Sequence, residues 1–441
     1  MMREYFYDLV AFLDTQLQGD EQYTCWFAGE ASDFVRFNRS AIRQAGHVRQ
    51  MYFTLHLIDA LRHAKITLTL GGTLDADRPL LRRMLQDFRA RLLDLPEDPH
   101  LLVSTDVKSS EHAPPSRLPP TTAMVDEVLA AGQGHDLVGM LAVGPICHGF
   151  ANSFGQRNWH KSASFNLDWS LYGNGDKAVK CGYAGSEWNV AAFREKFAQA
   201  LAQFSRLQRA PVSVPLGAYR AYLAPAALNE IVGMLNWNGL SEKALRTKQS
   251  CLGRMRDEGV RLHRSVNIME HAAAGLAPSF QGDGFLKPER SVLIEEGRLS
   301  GSMISPRTAK EYGLVTNGAG DGEAAHSLDM AGGDVPMSAV LKELDTGVYV
   351  GNLWYLNFSD RINCRLTGMT RFATFWVENG EIKAPLNAMR FDDSLYRILG
   401  DKLIGLTRER ELVIDSDSYG ARSTGSARLP GVLVSDFTFV L

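Results

Sequence analysis

Short β-rich segments separated by turn residues fill the last quarter of the chain, from Gly347 onward. β-Branched and aromatic residues are concentrated in four runs, at 348–356, 372–377, 412–414 and 433–439. Asn379-Gly380, which lies between two of these runs, is a typical hairpin turn. This pattern predicts a strand-rich C-terminal domain at 211–441, built as a curved sheet or a barrel-like sheet.

The first half of the chain mixes helical and strand-like patterns. Apolar residues at three- and four-residue steps predict an N-terminal helix with one buried face, formed by Phe6, Leu9, Val10, Leu13 and Leu17. Partial two-residue alternation predicts an antiparallel meander of about four strands, at 23–28, 33–38, 48–58 and 65–70. Pro211 and Pro215 punctuate the chain, so we place the end of an N-terminal mixed α/β domain, 1–210, here. The predicted fold class is α+β.

Composition limits the possible partners. The 441 residues include 47 Lys and Arg against 50 Asp and Glu, a net charge of −3, which argues against a dedicated nucleic-acid-binding protein. No apolar stretch reaches the roughly 18 residues of a membrane helix, and the N-terminus has no secretory h-region. The five cysteines are odd in number and far apart, which favours reduced thiols. We therefore expect a cytoplasmic protein that binds neither nucleic acid nor membrane.

General catalytic motifs are missing from the sequence. It contains no G-x-S-x-G elbow, no phosphate-binding G-x-x-x-x-G-K-[ST] loop and no H-E-x-x-H. His263 and the pair Glu270-His271 could meet on one helix, but three such groups without a fourth ligand are weak evidence for a metal site. We interpret these histidines as surface or loop residues.

Several segments together resemble one known family. They lie at 35–38, 217–225, 283–284, 296–297, 305–309, 316–322, 367–372 and 375–385. In order and spacing they resemble the TldD/PmbA family, whose paired TldD-type and TldE-type subunits form a cytoplasmic zinc metallopeptidase. The resemblance spans nearly the whole chain and is strongest from residue 217 onward.

The segment in register with the family's metal motif has lost the metal ligands. TldD-type members carry H-E-x-x-x-H, whereas this chain reads Asn229-Glu230-Ile-Val-Gly-Met234. Zinc prefers imidazole or thiolate ligands, and the Asn amide and Met thioether are poor replacements. The family also takes a cysteine near the C-terminus as a ligand, but no cysteine follows Cys364. The resemblance therefore implies no metal, no cofactor and no catalytic residue in this chain.

The resemblance implies a role as a subunit. We expect a non-catalytic, TldE-like chain that is inactive alone and pairs with a TldD-like subunit, which supplies zinc and catalysis. The substrate would be an extended peptide, unfolded or ribosomally made and modified, held in a chamber that this chain shapes and closes. Without zinc, Glu230 has no metal-bound water to deprotonate, so we interpret it as a helix carboxylate paired with a nearby Lys or Arg.

Two alternatives stay open at this stage. One is a stand-alone peptide-binding or regulatory protein that retains the fold without catalysis. The other is an active homodimeric hydrolase that uses Glu230 with His263 or His271.

Overall fold

A computed structural model of the chain describes residues 2–173 and 177–440. The α-helices in these residues are α1 (Met2–Asp14), α2 (Leu74–Leu92), α3 (Thr121–Gly132), α4 (Val190–Leu207), α5 (Pro225–Asn236), α6 (Glu242–Arg246), α7 (Gly253–Asp257), α8 (Pro306–Tyr312) and α9 (Val340–Leu344). Short 3-10 turns lie at Ala272–Ala274 and Met337–Ala339, and a π-helical turn lies at Arg397–Asp401. Two sheets account for the strands, so the α+β prediction is confirmed.

The first sheet is formed by the N-terminal half of the chain. Its strands are β1 (Gln22–Asn38), β2 (Ala41–Asp59), β3 (Arg62–Thr69), β4 (Ser110–His112), β5 (Asp136–Asn152), β6 (Arg157–Tyr172) and β7 (Ala178–Gly185). The order is β3-β2-β1-β5-β6, and both β4 and β7 pair with β6. All neighbours are antiparallel except β4 and β6.

The predicted meander has three strands rather than four. The segments predicted as strands at 23–28 and 33–38 are one continuous strand, β1. The residues between them pair with β2, from Gly29 opposite Met51 to Ser32 opposite Val48. These pairings continue the ladder through a stretch that the sequence pattern leaves unassigned, because its glycine and polar residues lack the apolar alternation of a typical strand.

Helices cover one face of this sheet. α1 buries Phe6, Leu9, Val10 and Leu13, as the sequence predicts, and with α2 forms an apolar core against β1 and β2. α3 and α4 form a neighbouring core against β5 and β6, centred on Trp169 and Phe193. Burial of such large apolar surfaces is the main source of stability for this half.

The second sheet is formed by the C-terminal half. Its strands are β8 (Gly217–Leu223), β9 (Ile268–Glu270), β10 (Ser291–Glu295), β11 (Arg298–Leu299), β12 (Ser327–Met330), β13 (Gly347–Val350), β14 (Leu353–Asp360), β15 (Arg365–Thr370), β16 (Thr374–Glu378), β17 (Glu381–Pro385), β18 (Arg390–Ser394), β19 (Leu403–Ile414) and β20 (Ser426–Phe439). The main order is β11-β10-β9-β12-β20-β8-β13-β16-β17. β20 also pairs with β19 and with β18, from which the sheet continues through β15 to β14.

The second sheet is open. Within the described part of the chain its main path ends at β11 and β17, its branches end at β14 and β19, and it does not close into a barrel. The hairpin between β16 and β17 turns at Asn379 and Gly380, whose φ values of 51° and 75° match the predicted turn. The predicted run at 348–356 is divided into β13 and β14 at Gly351, where a Cβ atom would lie 2.7 Å from the Ala373 carbonyl oxygen.

The first sheet uses residues up to Gly185 and the second begins at Gly217. A domain boundary near residue 210 stays a prediction. A search of residues 2–173 and 177–440 finds no helix that is both long and apolar enough to cross a membrane.

Candidate functional site

Helix α5 carries the degenerate metal motif and has two different faces. Pro225 occupies its first turn, where a missing N–H costs nothing. Leu228, Ile231 and Leu235 are buried in the core of the C-terminal half. The opposite face borders a cavity of about 570 Å³, which we call the α5 cavity. The helix therefore holds its polar residues at this cavity by packing its apolar residues behind them.

The α5 cavity lies where the two halves of the chain meet. β6 and β7 of the first sheet form one wall, and α5, β19 and the loop after β19 form the others. The polar and ionisable side chains that line it include Asn166, Asp168, Lys180, Cys181, Asn229, Glu230, His326, Glu411 and Asp415. Its volume falls in the range of small-molecule and peptide sites.

The structure places the three predicted site residues in two different environments. Asn229 and Glu230 line the α5 cavity together with Gly233. Met234 is not among the described lining residues and packs against the hydrophobic core instead. Positions five apart on an α-helix are rotated by about 140°, and α5 is α-helical from Pro225 to Asn236. The helix thus does not bring positions 229 and 234 to one point.

Glu230 is an unpaired carboxyl at the edge of this cavity. Burial raises its pKa, and the nearby positive charge of Lys180 partly opposes this rise. It makes no ion pair or hydrogen bond with any residue that the structure describes. The expected ion pair with a Lys or Arg is therefore not formed with any described residue, and Lys180 attracts Glu230 only at longer range.

Lys180 acts on a second carboxyl across the cavity. Burial raises the pKa of Asp168, while Lys180 and a hydrogen bond from Ser416 lower it. Glu411 is held by Lys196 at 2.5 Å. Burial also raises the pKa of the Cys181 thiol to about 12, which keeps it protonated at neutral pH.

The donor set of the α5 cavity does not fit zinc. Structural and catalytic zinc sites need three or four imidazole, thiolate or carboxylate ligands in tetrahedral arrangement. Across residues 2–173 and 177–440, no group of three His, Cys, Asp or Glu side chains is placed to hold a metal ion. Asn229, at the position of the motif's first histidine, contributes only an amide. We therefore derive no metal-dependent step for this chain.

The histidines considered from the sequence lie elsewhere. The suggestion that they share a helix is wrong, because His263 lies in a loop and Glu270 ends strand β9. Glu270 is buried, pairs with Lys287 at 3.2 Å and accepts the Ser327 N–H at 2.8 Å. His263 bonds Ser265, and His271 accepts from Arg290. Neither histidine is among the described residues that line the α5 cavity with Glu230.

A second cavity adjoins the first. None of the three site residues predicted from the sequence lines it. It measures about 360 Å³ and shares His326, Ser423 and Gly425 with the α5 cavity. We call it the Trp26 pocket, after the tryptophan side chain that lines it. One sequence feature could have indicated this pocket. Trp26 alternates with Cys25 and Phe27, which are buried under the helices, so its large aromatic side chain lies on the opposite face of the sheet.

The loop between β19 and β20 connects the cavities to the first sheet. Arg422, at the tip of this loop, is buried. Its backbone N–H donates to Glu30 Oε2 at 2.7 Å, and its guanidinium donates to Ser164 and to the Gly144 carbonyl. Burial lowers its pKa to about 10, against the opposing effect of Glu30, so the group stays charged at neutral pH.

Comparison with known proteins identifies the family. Residues 216–440 match the model of the PmbA/TldA metallopeptidase C-terminal domain, which is just over half of the chain. The chain belongs to the PmbA/TldD family of metallopeptidases. It is also 31% identical over 126 residues to Metalloprotease PmbA of Escherichia coli O157:H7, a match that covers 28% of this chain and 27% of that protein.

Solved structures share the fold over the whole chain. TldE from Thermococcus kodakarensis superposes with a TM-score of 0.76 at 14% identity, covering 99% of this chain and 100% of that one. A protein of Thermotoga maritima MSB8, described as a candidate modulator of a DNA gyrase, gives 0.76 at 13% identity and covers 100% of both chains. A similarly described protein of Bacteroides thetaiotaomicron VPI-5482 gives 0.74 at 15% identity, covering 99% and 98%. At these sequence identities, the similarity shows a shared fold.

Proposed function

We propose that this chain is the non-catalytic, TldE-like subunit of a heterodimeric zinc metallopeptidase of the TldD/TldE type. The observation that carries the proposal is the placement of the degenerate motif. Asn229 stands at the cavity where the motif's first histidine would stand, while Met234 is packed into the core. In this proposal the partner subunit supplies zinc and catalysis, and this chain contributes a binding surface.

A free sheet edge at the cavity supports peptide binding. Within the described residues β7 pairs only with β6, so its other edge carries unpaired backbone groups. Lys180, Cys181, Gly182 and Ala184 of this strand line the α5 cavity. An extended peptide that adds to such an edge gains main-chain hydrogen bonds whatever its side chains are. This geometry favours unfolded or modified peptides as the substrate.

The charged groups of the cavity are suited to positioning a peptide. The positive charge of Lys180 acts to lower the pKa of both Asp168 and Glu230, and Glu230 makes no short-range ion pair with a described residue. In the proposed complex these groups bind and orient polar parts of the peptide near the partner's catalytic centre. Glu230 has no catalytic role in this scheme.

The test is co-expression with a TldD-like protein that carries H-E-x-x-x-H. We expect the two chains to purify together, and cleavage of an unstructured peptide to require both. The matched control is the same complex with the partner's motif glutamate replaced by glutamine, which should be inactive. A chain that binds peptide but does not associate with the TldD-like protein would favour the stand-alone alternative and contradict the heterodimer.

A further inference from the structure

The Trp26 pocket lies between the two halves of the chain, beside the proposed peptide site. Trp26 belongs to β1, and its neighbours Cys25 and Phe27 point into the core under α1 and α2. Trp26 therefore faces the C-terminal half, where Phe280 meets it with ring centroids 5.5 Å apart. His148 of β5 lies against the indole at 5.2 Å. Three rings thus form a wall that a further ring can contact.

The two cationic side chains that line this pocket are already engaged by other residues. Lys287 is paired with Glu270 at 3.2 Å, and both side chains are buried. The Arg422 guanidinium donates to Ser164 and to the Gly144 carbonyl, and the Arg422 backbone N–H donates to Glu30. A charged ligand group would have to break these contacts to gain a partner, so burying it here would be costly. The pocket therefore favours an uncharged guest.

One polar group in the wall is left without a partner. The Nδ1 atom of His148 is buried without a hydrogen bond, and the ring bonds no other described residue. Burial and the nearby His160 and His326 lower the pKa of His148 to about 3, so the imidazole is neutral at physiological pH. A neutral imidazole offers one donor and one acceptor. An aromatic ring with a hydroxyl or N–H group complements both the rings and this histidine.

The Trp26 pocket is adjacent to the α5 cavity. His326, Ser423 and Gly425 line both cavities, so the pocket begins within the width of one residue from the α5 cavity. We propose that the Trp26 pocket is a specificity pocket that receives an aromatic side chain, tyrosine above all, from a peptide whose backbone lies in the α5 cavity. This inference rests on the proposed peptide-binding function and names the side-chain class that the site selects.

The experiment measures binding of short unstructured peptides that are identical except at one position, which carries Ala, Phe, Tyr or Lys. The protein is the full chain, alone and in complex with its TldD-like partner. We expect the Tyr peptide to bind at least about 10-fold tighter than the Ala or Lys peptide, the ratio that burial of one aromatic side chain supports. The Trp26→Leu variant should lose this preference and keep its affinity for the Ala peptide.

Two further variants separate the pocket from general damage to the fold. His148→Phe should retain binding of the Phe peptide and remove a roughly 2- to 10-fold preference for Tyr over Phe, the value of one neutral hydrogen bond. Trp354→Ala removes an exposed aromatic side chain outside the pocket and should leave all affinities unchanged.

The outcomes distinguish the two proposals. If every peptide binds equally and Trp26→Leu changes nothing, the specificity pocket is wrong and peptide binding stands. If no peptide binds to the chain or to the complex, peptide binding fails and the specificity pocket fails with it.

Discussion

Arg422 and Glu30 join the two halves of the molecule, because the backbone N–H of Arg422 donates to Glu30 Oε2 at 2.7 Å. Arg422 lies between β19 and β20, and Glu30 lies in the middle of β1. Both residues are buried, and the guanidinium also reaches Ser164 on β6. The contact fixes the loop that borders both the α5 cavity and the Trp26 pocket.

Removing the Arg422 side chain should therefore destabilise the protein. Arg422→Met removes the guanidinium, which donates to Ser164 and to the Gly144 carbonyl, while the backbone N–H contact to Glu30 is kept. We expect the free energy of unfolding to fall by about 1–3 kcal/mol, the cost of leaving buried acceptors without a donor. Denaturant unfolding followed by fluorescence measures this loss. Arg194→Ala is the control, since Arg194 pairs with Glu127 on the surface and should cost no more than about 1 kcal/mol. A loss in Arg422→Met no larger than the loss in Arg194→Ala would contradict the role of these hydrogen bonds.

The protein should lose stability in mild acid. Burial lowers the pKa of His56 to about 3 and that of His160 to about 4, against an ordinary value of 6.5. Below pH 6.5 these histidines bind protons in the unfolded chain but stay neutral in the folded chain. The free energy of unfolding therefore falls as the pH drops from 6.5 toward 4. Each histidine contributes up to about 1.4 kcal/mol per pH unit.

Thermal unfolding between pH 7 and pH 4.5 measures this effect. His160→Gln, which keeps a donor for the Leu276 carbonyl, should make the curve of melting temperature against pH shallower. His47→Gln, at an exposed position, is the control and should leave the slope unchanged. An unchanged slope in His160→Gln would contradict the assignment of a buried neutral imidazole.

Glu230 should be dispensable for catalysis by the complex. We expect Glu230→Gln to leave turnover of an unstructured peptide within about twofold of the wild type, because the proposed scheme gives this carboxyl no proton to transfer. Glu230 is exposed, so the substitution should also leave the melting temperature nearly unchanged. A large fall in turnover with normal folding would make Glu230 a catalytic residue.

Histidines introduced into α5 should bind zinc well only when they are four residues apart. Asn229 and Gly233 lie one helical turn apart and both line the α5 cavity, whereas Met234 does not. A Cβ atom at Gly233 would meet nothing within 4 Å, and replacing a helical glycine is favourable by a few tenths of a kcal/mol. We expect Asn229→His with Gly233→His to bind zinc more tightly than Asn229→His with Met234→His. Cobalt absorption spectra and equilibrium dialysis compare the two, and the reverse order would contradict the helix geometry.

Local patterns predicted much of the fold. The spacing of Phe6 and Leu13 specifies α1, and Asn379-Gly380 specifies a hairpin, because both depend on residues close in sequence. The division of β1 into two strands was wrong because the residues near Gly29 are held by pairing with β2 and β5, which local alternation does not reveal. The open edges of the second sheet likewise depend on pairings between distant strands.

The candidate site was predictable only in part. The motif comparison led to Asn229 and Glu230, which do line a cavity. The motif alone did not separate Met234 from them, because which side of α5 faces the core depends on packing against distant strands. Lys180 and Arg422 reach the cavities from distant parts of the chain, and no sequence spacing connects them with α5.

The zinc content of the isolated chain tests the central claim most directly. Tag-free protein, purified without its partner and dialysed against buffer containing zinc, is measured by elemental analysis. We predict no stoichiometric zinc, because no group of three His, Cys, Asp or Glu side chains in residues 2–173 and 177–440 is placed to hold a metal ion. One zinc ion per chain would contradict it.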